Sequence, residues 1–517
     1  MLAIEHFERA VQRFPDRVAV IGDGGAITYR ALAEQADRIA NALLSCGVAA
    51  GTRISILSPN HPMVLACQYA VMKAGCVWVP SNHRNLPADT LRQFHALEVG
   101  WLFYHSSLES HVADIRGDLP DVRGMIAIDG PTPTAPGVLD WAAGFPPGAP
   151  LPTRRMDDPV AIMTTGGTTG LPKGAVHTNR SWEANIASYF ATFSFRKPPV
   201  HLVVAPLTHA TGVFHWTMVG RGATHVLCPS ADPDAILGMI ERHRVTILFL
   251  PPTIIYMLLS HPRRKDYDYS SLEYFMFGAA PMSVDKLREA TAVFGPVMSQ
   301  IYGSTETLIM NTILLREELA ESLADPALEH RIASAGREGP FSRIEILDDR
   351  GMPLPPGEHG EIAVRGDFVM TEYYKDPQRT AEVRINGWHR SGDVGYKDAD
   401  GYLYIVDRKN DMIISGGFNI YPGEVEQTVL AHPAVQDCAV VGIPHEKWGE
   451  AVLAAVELKA GHTLDEAEFL AFCKGRLGSV KTPKFVEILD RMPRSAVGKT
   501  LRRAVRAKYW EGCDRAI

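Results

Sequence analysis

Residues 163–174 read Met-Thr-Thr-Gly-Gly-Thr-Thr-Gly-Leu-Pro-Lys-Gly. A β-forming run, residues 161–165, leads into a loop made of small and hydroxylated residues. Gly166, Gly167 and Gly170 let backbone N–H groups approach an anion closely and accept positive φ. Thr164, Thr165, Thr168 and Thr169 add hydroxyl donors, and Lys173 adds a cation. Such a donor set suits a polyphosphate. It is not a Walker loop, because Lys173 does not directly follow the last glycine of the GxxxxGK spacing. Gly498-Lys499-Thr500 has the correct ending, but Pro493 stands where the first Walker glycine belongs.

Further segments extend the pattern: GAAP at 278–281, YGSTE at 302–306, RSGD at 390–393, DRKNDMIISGGFNIYPGEVE at 407–426 and PRSAVGKTLRR at 493–503. Together with the 163–174 loop, and in the same order, these resemble the motifs of the adenylate-forming superfamily. That superfamily holds the acyl-CoA synthetases, luciferases and peptide-synthetase adenylation domains. The sequence is most similar in plan to a bacterial acyl-CoA synthetase. Two positions depart from the common pattern. Gly166 stands where serine is usual, which removes one hydroxyl donor, and Phe418 stands where glutamate is common.

The resemblance implies a role for each motif, and the residue chemistry agrees. Tyr302 offers a ring, and Gly278, Ala279 and Ala280 a flat backbone surface, to hold an adenine by stacking and hydrogen bonding. Gly303, Ser304 and Thr305 continue the nucleotide-binding segment. Glu306 is a hard oxygen ligand for Mg2+, which favours one or two carboxylates plus phosphate oxygens and waters. Asp393 is expected to accept from the ribose hydroxyls, with Arg408 donating to the sugar or its phosphate. Lys499 is expected to stabilise the charge that builds up as a carboxylate attacks the α-phosphate. His209, in Pro-Leu-Thr-His-Ala-Thr-Gly, is expected to line the acyl pocket as a gate. Catalysis is thus assigned to Lys499, Glu306, Thr165 and His209.

The implied reaction has two halves. A carboxylic acid and MgATP give acyl-AMP and pyrophosphate; the thiol of CoA then displaces AMP. The family alternates between the two by rotating a small C-terminal domain about a hinge near Asp407. Gly416 and Gly417 are expected to line the pantetheine tunnel, with Trp448 against the CoA adenine and Lys481 near its phosphates. Two other readings compete: loading of a carrier protein or a luciferase-like oxidation, and a non-catalytic nucleotide binder. Retention of Lys499 and Glu306 argues against the last. The segments around the expected acyl pocket, 209–214, 278–281 and 303–310, are mostly apolar or small and offer no Arg or Lys to a second carboxylate. An apolar aliphatic, alicyclic or aromatic monocarboxylate is therefore favoured.

These residues need a scaffold, and the chain alternates short apolar runs with helical spacing. Runs at 201–206, 225–229, 245–251 and 274–278 predict buried strands; 30–45, 62–74, 234–243 and 284–294 predict helices. Such alternation implies parallel sheets covered by helices, an α/β fold. From about residue 340 shorter strands with Gly, Pro and Asp turns predict a small β-barrel. The expected division is an N-terminal adenylation domain, 1–406, holding the ATP and acyl sites. A mobile α+β domain, 407–517, follows. A net charge of −7 argues against general nucleic-acid affinity. The scattered cysteines form no CxxC pair, so free thiols are expected rather than a zinc site or disulfide framework. With no signal-like N-terminus and no long apolar run, a cytoplasmic protein without an integral membrane segment is expected. A homodimer is compatible with the resemblance, which leaves the oligomeric state open.

Overall fold

The computed structural model describes residues 1–149, 153–165, 173–208, 210–280, 282–308, 310–494 and 500–511. The chain divides into two compact units. One comprises Met1–Ala279, Leu287–Ile344 and Val364–His389; the other comprises Ala280–Lys286, Glu345–Ala363 and Arg390–Ile517.

The first unit carries two large sheets. In the nine-stranded sheet the central order is Met298–Tyr302, Tyr274–Gly278, Ile247–Leu250, Val200–Val203, Thr224–Leu227 and Val18–Gly22, all neighbours being parallel. Most positions of these strands are apolar, as expected of strands covered on both faces, with Ser299, Gln300, His201, Thr224 and His225 as the polar exceptions. The runs at 201–206, 225–229, 245–251 and 274–278 all lie here. The seven-stranded sheet runs from Glu372–Tyr373 through Lys173–Thr178, Pro159–Thr165, Val77–Ser81, Arg53–Leu57 and Trp101–Tyr104 to Gly124–Ala127. Helices start where side chains cap them: Thr28 accepts the N–H of Ala31, and Asp232, followed by Pro233, accepts that of Ala235.

In the second unit, strands Gly449–Leu458 and Val435–His445 form a long antiparallel pair joined by Ile413–Ser415, Phe418–Ile420 and Phe485–Ile488. Helices Pro422–Leu430 and Glu466–Lys481 complete its core, which includes Ile420, Val425, Val440, Val456 and Phe469. The second helix outruns its expected end at 476 and breaks at Gly478, whose φ is +70°. Residues 345–363 and 390–406 group with this C-terminal fold, whereas the expected division at 406/407 places them with the N-terminal domain. The connection is physical. Asp407 accepts the N–H of Gly423, at the start of one helix, and pairs with Arg502, at the start of the last.

The first unit buries an unusual histidine cluster. His201 and His225 are register partners on neighbouring strands, their Nδ1 atoms 3.1 Å apart, and His215 packs against His225 at 5.6 Å between ring centres. All three are at most 1% exposed. Among the described residues no hydrogen-bond partner reaches Nε2 of His201 or His225. Burial pushes the pKa of His225 down to about 3 and those of His201 and His215 well below the usual value.

The sign of the pH effect follows. These rings stay neutral when folded but protonate below about pH 6.5 when unfolded, so acid favours the unfolded chain. Each contributes stability that is present above that pH and falls by about 1.4 kcal/mol per pH unit below it. The melting temperature should drop steeply from pH 6.5 to 5.5, and less steeply in His215→Phe. Equal pH dependence in the two proteins would refute the assignment.

Candidate active site

Strands Tyr274–Gly278 and Met298–Tyr302 are parallel neighbours, with Gly278 opposite Ile301. A Cβ on Gly278 would lie 2.4 Å from the Ile301 carbonyl oxygen, so only glycine allows this approach. The next residue, Ala279, has φ +67°, a left-handed conformation that an alanine adopts only under strain. Ala279 is exposed and Tyr302 half-buried. A backbone platform and an aromatic ring thus sit at the carboxyl ends of adjacent parallel strands, the usual ligand position in an open α/β sheet. Ala280 groups with the second unit.

The phosphate-loop expectation is partly visible. Strands Pro159–Thr165 and Lys173–Thr178 form an antiparallel hairpin closed by the pairs Thr164–Gly174 and Thr165–Lys173. Gly166, Gly167, Thr168, Thr169 and Gly170, like His209 and Lys499, lie outside the described residues. At the hairpin's mouth the Lys173 ammonium stands 5.4 Å from the centre of the Tyr373 ring. The Tyr373 hydroxyl donates to Glu306 Oε1 at 2.8 Å. Burial, then the charge of Glu306, holds the Tyr373 hydroxyl well above its ordinary pKa, so it stays a donor. Glu306 Oε2 has no protein partner among the described residues.

Glu306 occupies the single turn Thr305–Thr307, which is fixed from several sides. The N–H of Met370 donates to its carbonyl at 2.7 Å, and Ser304 and Asn311 bond to the Thr307 hydroxyl. His177 Nε2 lies 2.7 Å from the Thr305 carbonyl. A carbonyl only accepts, so that nitrogen carries the proton. Burial lowers the His177 pKa to about 4, so the ring is neutral. One carboxylate oxygen is held and the other is available, which fits a hard cation taken mainly by phosphate oxygens and waters. Glu306 would hold Mg2+, whose charge would offset that of the phosphates.

In the second unit Asp393 and Arg408 are register partners, and Arg408 Nε lies 2.7 Å from Asp393 Oδ1. Asp393 is buried while its partner's side chain is 60% exposed, so the expected ribose acceptor is presented with its counter-ion already attached. Gly416 and Gly417, at φ +58° and +84°, turn the hairpin between Ile413–Ser415 and Phe418–Ile420. The Gly416 N–H donates to the Trp448 carbonyl, and a Cβ there would touch the indole at 3.4 Å. Trp448 stacks on His445 at 4.3 Å, with the Lys484 ammonium 5.8 Å from its ring centre. Lys481 is instead paired with Glu424 at 2.5 Å.

The flanks of the Lys499 loop are pinned. Arg494 and Thr500 form a β-bridge and both bond to Asp437. Three residues beyond Lys499, Arg502 pairs with Asp407 at 2.6 Å, with Asp411 at 3.1 Å and, through two nitrogens, with Glu426. Tyr373, His177 and Arg502 were absent from the sequence reading. Tyr373 and His177 sit in no motif. Arg502 belongs to the quoted 493–503 segment, where its spacing from the lysine was the available signal.

Parallel strand ends bearing Gly278 and Tyr302, a hairpin closed by Thr165 and Lys173, and a carboxylate with one oxygen unpartnered among the described residues are the features expected of the adenylate-forming class. The family profile described as AMP-binding enzyme matches residues 7–374, and that of the AMP-binding enzyme C-terminal domain matches residues 424–499. The chain belongs to the AMP-binding enzyme family. It is 37% identical to a feruloyl-CoA synthase of Amycolatopsis sp over 507 residues, 97% of this chain and 98% of the relative. It is 34% identical to the medium/long-chain-fatty-acid–CoA ligase FadD8 of Mycobacterium tuberculosis over 98% of this chain and 90% of that protein. Among solved structures, ATP-bound MatB from Rhodopseudomonas palustris superposes with a TM-score of 0.88 at 30% identity, covering 98% of this chain and 99% of MatB.

Two substitutions probe these contacts. Tyr373→Phe removes a charge-assisted hydrogen bond from Glu306 and should raise the Mg2+ concentration for half-maximal pyrophosphate release by about ten-fold. An unchanged Mg2+ titration would detach Tyr373 from the metal site. Arg502→Met leaves its carboxylates clustered without a counter-ion and should destabilise the protein by about 3 kcal/mol in urea unfolding. In an Asp407→Asn background the loss should be smaller by at least about 1 kcal/mol. Additive losses would show that the two side chains act separately.

Proposed function

We propose that this enzyme activates an apolar aromatic, alicyclic or aliphatic monocarboxylic acid. The chain is an AMP-forming acid–thiol ligase that uses ATP, Mg2+ and CoA. The observation that carries the reading is the Glu306 hub. It sets a carboxylate with a free oxygen next to the hairpin that closes the Thr/Gly loop, in the unit whose strand ends bear Gly278 and Tyr302. The acid class is supported by the buried apolar residues flanking the expected pocket, Val213, Phe214, Leu308 and Met310. It is also supported by relatives named for ferulate and for medium- and long-chain fatty acids.

In the first half-reaction the acid's carboxylate oxygen attacks the α-phosphorus, and the bond to pyrophosphate breaks. The Thr and Gly donors of the loop and Lys173 hold the phosphates. Lys499 offsets the charge shared by the attacking oxygen and the phosphate. In the second half-reaction the CoA thiolate attacks the acyl carbon and AMP leaves. Gly416, Gly417 and Trp448 belong in this reading to the CoA path, with Lys484 nearer the indole than Lys481. The C-terminal segment turns about Asp407 between the two steps. Homodimer formation and a cytoplasmic location belong to the same proposal; no described helix is long and apolar enough to cross a membrane.

A panel of aromatic, alicyclic and fatty acids, assayed for pyrophosphate release and for thioester with free CoA, tests the reading. Adenylation without thioester would redirect it to another acceptor. Lys499→Ala should slow acyl-AMP formation by roughly two orders of magnitude, while thioester formation from synthetic acyl-AMP stays near the wild-type rate. Equal loss in both steps would remove Lys499 from its assigned role.

A further inference from the structure

An aromatic core cluster includes residues of the two strands that end at Gly278 and Tyr302. Its walls are near neighbours of the motifs: Met276 is two residues before Gly278, Ile301 one before Tyr302, and Met310 follows the YGSTE turn. A strand rises about 3.3 Å per residue, so Met276 lies roughly 7 Å deeper along its strand than Gly278. Phe214 of the same cluster follows the expected gate, His209, in sequence. The cluster therefore occupies the depth at which an acid would lie if its carboxylate faced the nucleotide.

Tyr189 stands in this cluster. Its ring meets Phe214 edge-on at 5.3 Å, and Phe214 in turn lies 6.4 Å from Phe249. It is 0% exposed, and its hydroxyl has no hydrogen-bond partner among the described residues. Leaving a buried hydroxyl unpaired costs about 1–3 kcal/mol, which phenylalanine would avoid with the same packing. The other cluster tyrosine shows the ordinary solution: Tyr274 donates to the Ser194 carbonyl at 3.1 Å. One helical turn before Tyr189, on the same helix face, Asn185 is 2% exposed and its Nδ2 likewise lacks a partner among the described residues. Two orphaned groups thus share one helix face beside aromatic walls.

We propose that the Tyr189 hydroxyl recognises the far end of the substrate, and that the preferred acid is an aromatic monocarboxylate bearing a hydrogen-bonding ring substituent remote from its carboxyl group. The aromatic walls select a ring by edge-to-face contact. The hydroxyl, paired only when such a substituent is present, selects the substituent, because a site that hydrogen-bonds its substrate penalises an analogue that leaves the site unpaired. This rests on the acid–ligase reading above and narrows it.

The test compares kcat/KM for p-hydroxycinnamate, p-methoxycinnamate, cinnamate and octanoate, read as pyrophosphate release. Wild type should favour the substituted acids over cinnamate by at least about ten-fold. Tyr189→Phe should reduce that ratio at least about ten-fold, mainly through KM. Tyr274→Phe, which removes a paired hydroxyl from the same core, should leave the ratio where it was. A wild-type ratio near one, or a ratio that Tyr189→Phe does not move while its melting temperature stays normal, overturns the proposal. Turnover of octanoate alone also overturns it while leaving the ligase reading intact, and pyrophosphate release with no acid sinks both.

Discussion

The hydrogen bond from Tyr373 to Glu306 joins the edge strand Glu372–Tyr373 to the turn at 305–307, and the Lys173 ammonium of the strand Lys173–Thr178 stands over the same tyrosine ring. Much of the first unit's chemistry rests on it. A carboxylate beside a polyphosphate would swing toward any cation if it were held only by its own backbone. Here one oxygen is committed to a buried phenol and the backbone is tied by Met370 and His177. Reorganisation on binding is thereby reduced to one free oxygen, the form of preorganisation that electrostatic catalysis exploits. The neutral state of His177 matters in the same way, since it adds a directed hydrogen bond without a second charge near Glu306.

The second unit uses charge differently. Its central feature is a guanidinium among carboxylates, with Arg502 reaching Asp407, Asp411 and Glu426. Buried ion pairs seldom add much stability over an apolar core, but losing one partner is expensive. Such a cluster therefore fixes geometry more than it adds stability. It defines which residues move with the last helix, and it draws the strand Leu403–Arg408 into the same compact unit.

Much of the fold was legible because the central strands of the nine-stranded sheet are mostly apolar, Ile247–Leu250 and Tyr274–Gly278 entirely so. Tyr274–Gly278 matches its expected bounds to the residue, and most other expected elements differ by a few. Several strands of the second sheet gave weaker signals: Arg53–Leu57 carries a charge and Ser55 among its apolar residues, and Val77–Ser81 contains proline. The glycine at 278 answers a local requirement, since it lets two strands meet where a side chain would not fit. Tyr373 and His177 were not legible, because their roles exist only after segments far apart in sequence are brought together. Lys481 illustrates the converse: its position suggested a free cation, and the fold gives it Glu424 as a neighbour. The hinge expectation at Asp407 rested on resemblance, whereas the ties from that side chain to Gly423 and Arg502 are products of the tertiary fold.

The double anchoring of the 494–500 segment on Asp437, followed at once by Arg502 on Asp407, bears on how this protein could be recombined with its relatives. A C-terminal segment taken from this protein with the junction after residue 407 would carry Arg502, Asp411 and Glu426 but leave Asp407 behind. Such a junction would leave Arg502 dependent on whatever residue the other protein supplies in place of Asp407. One placed before the strand Leu403–Arg408 would transfer the whole ion cluster intact. The natural unit of exchange is thus the lobe together with the last strand that leads into it.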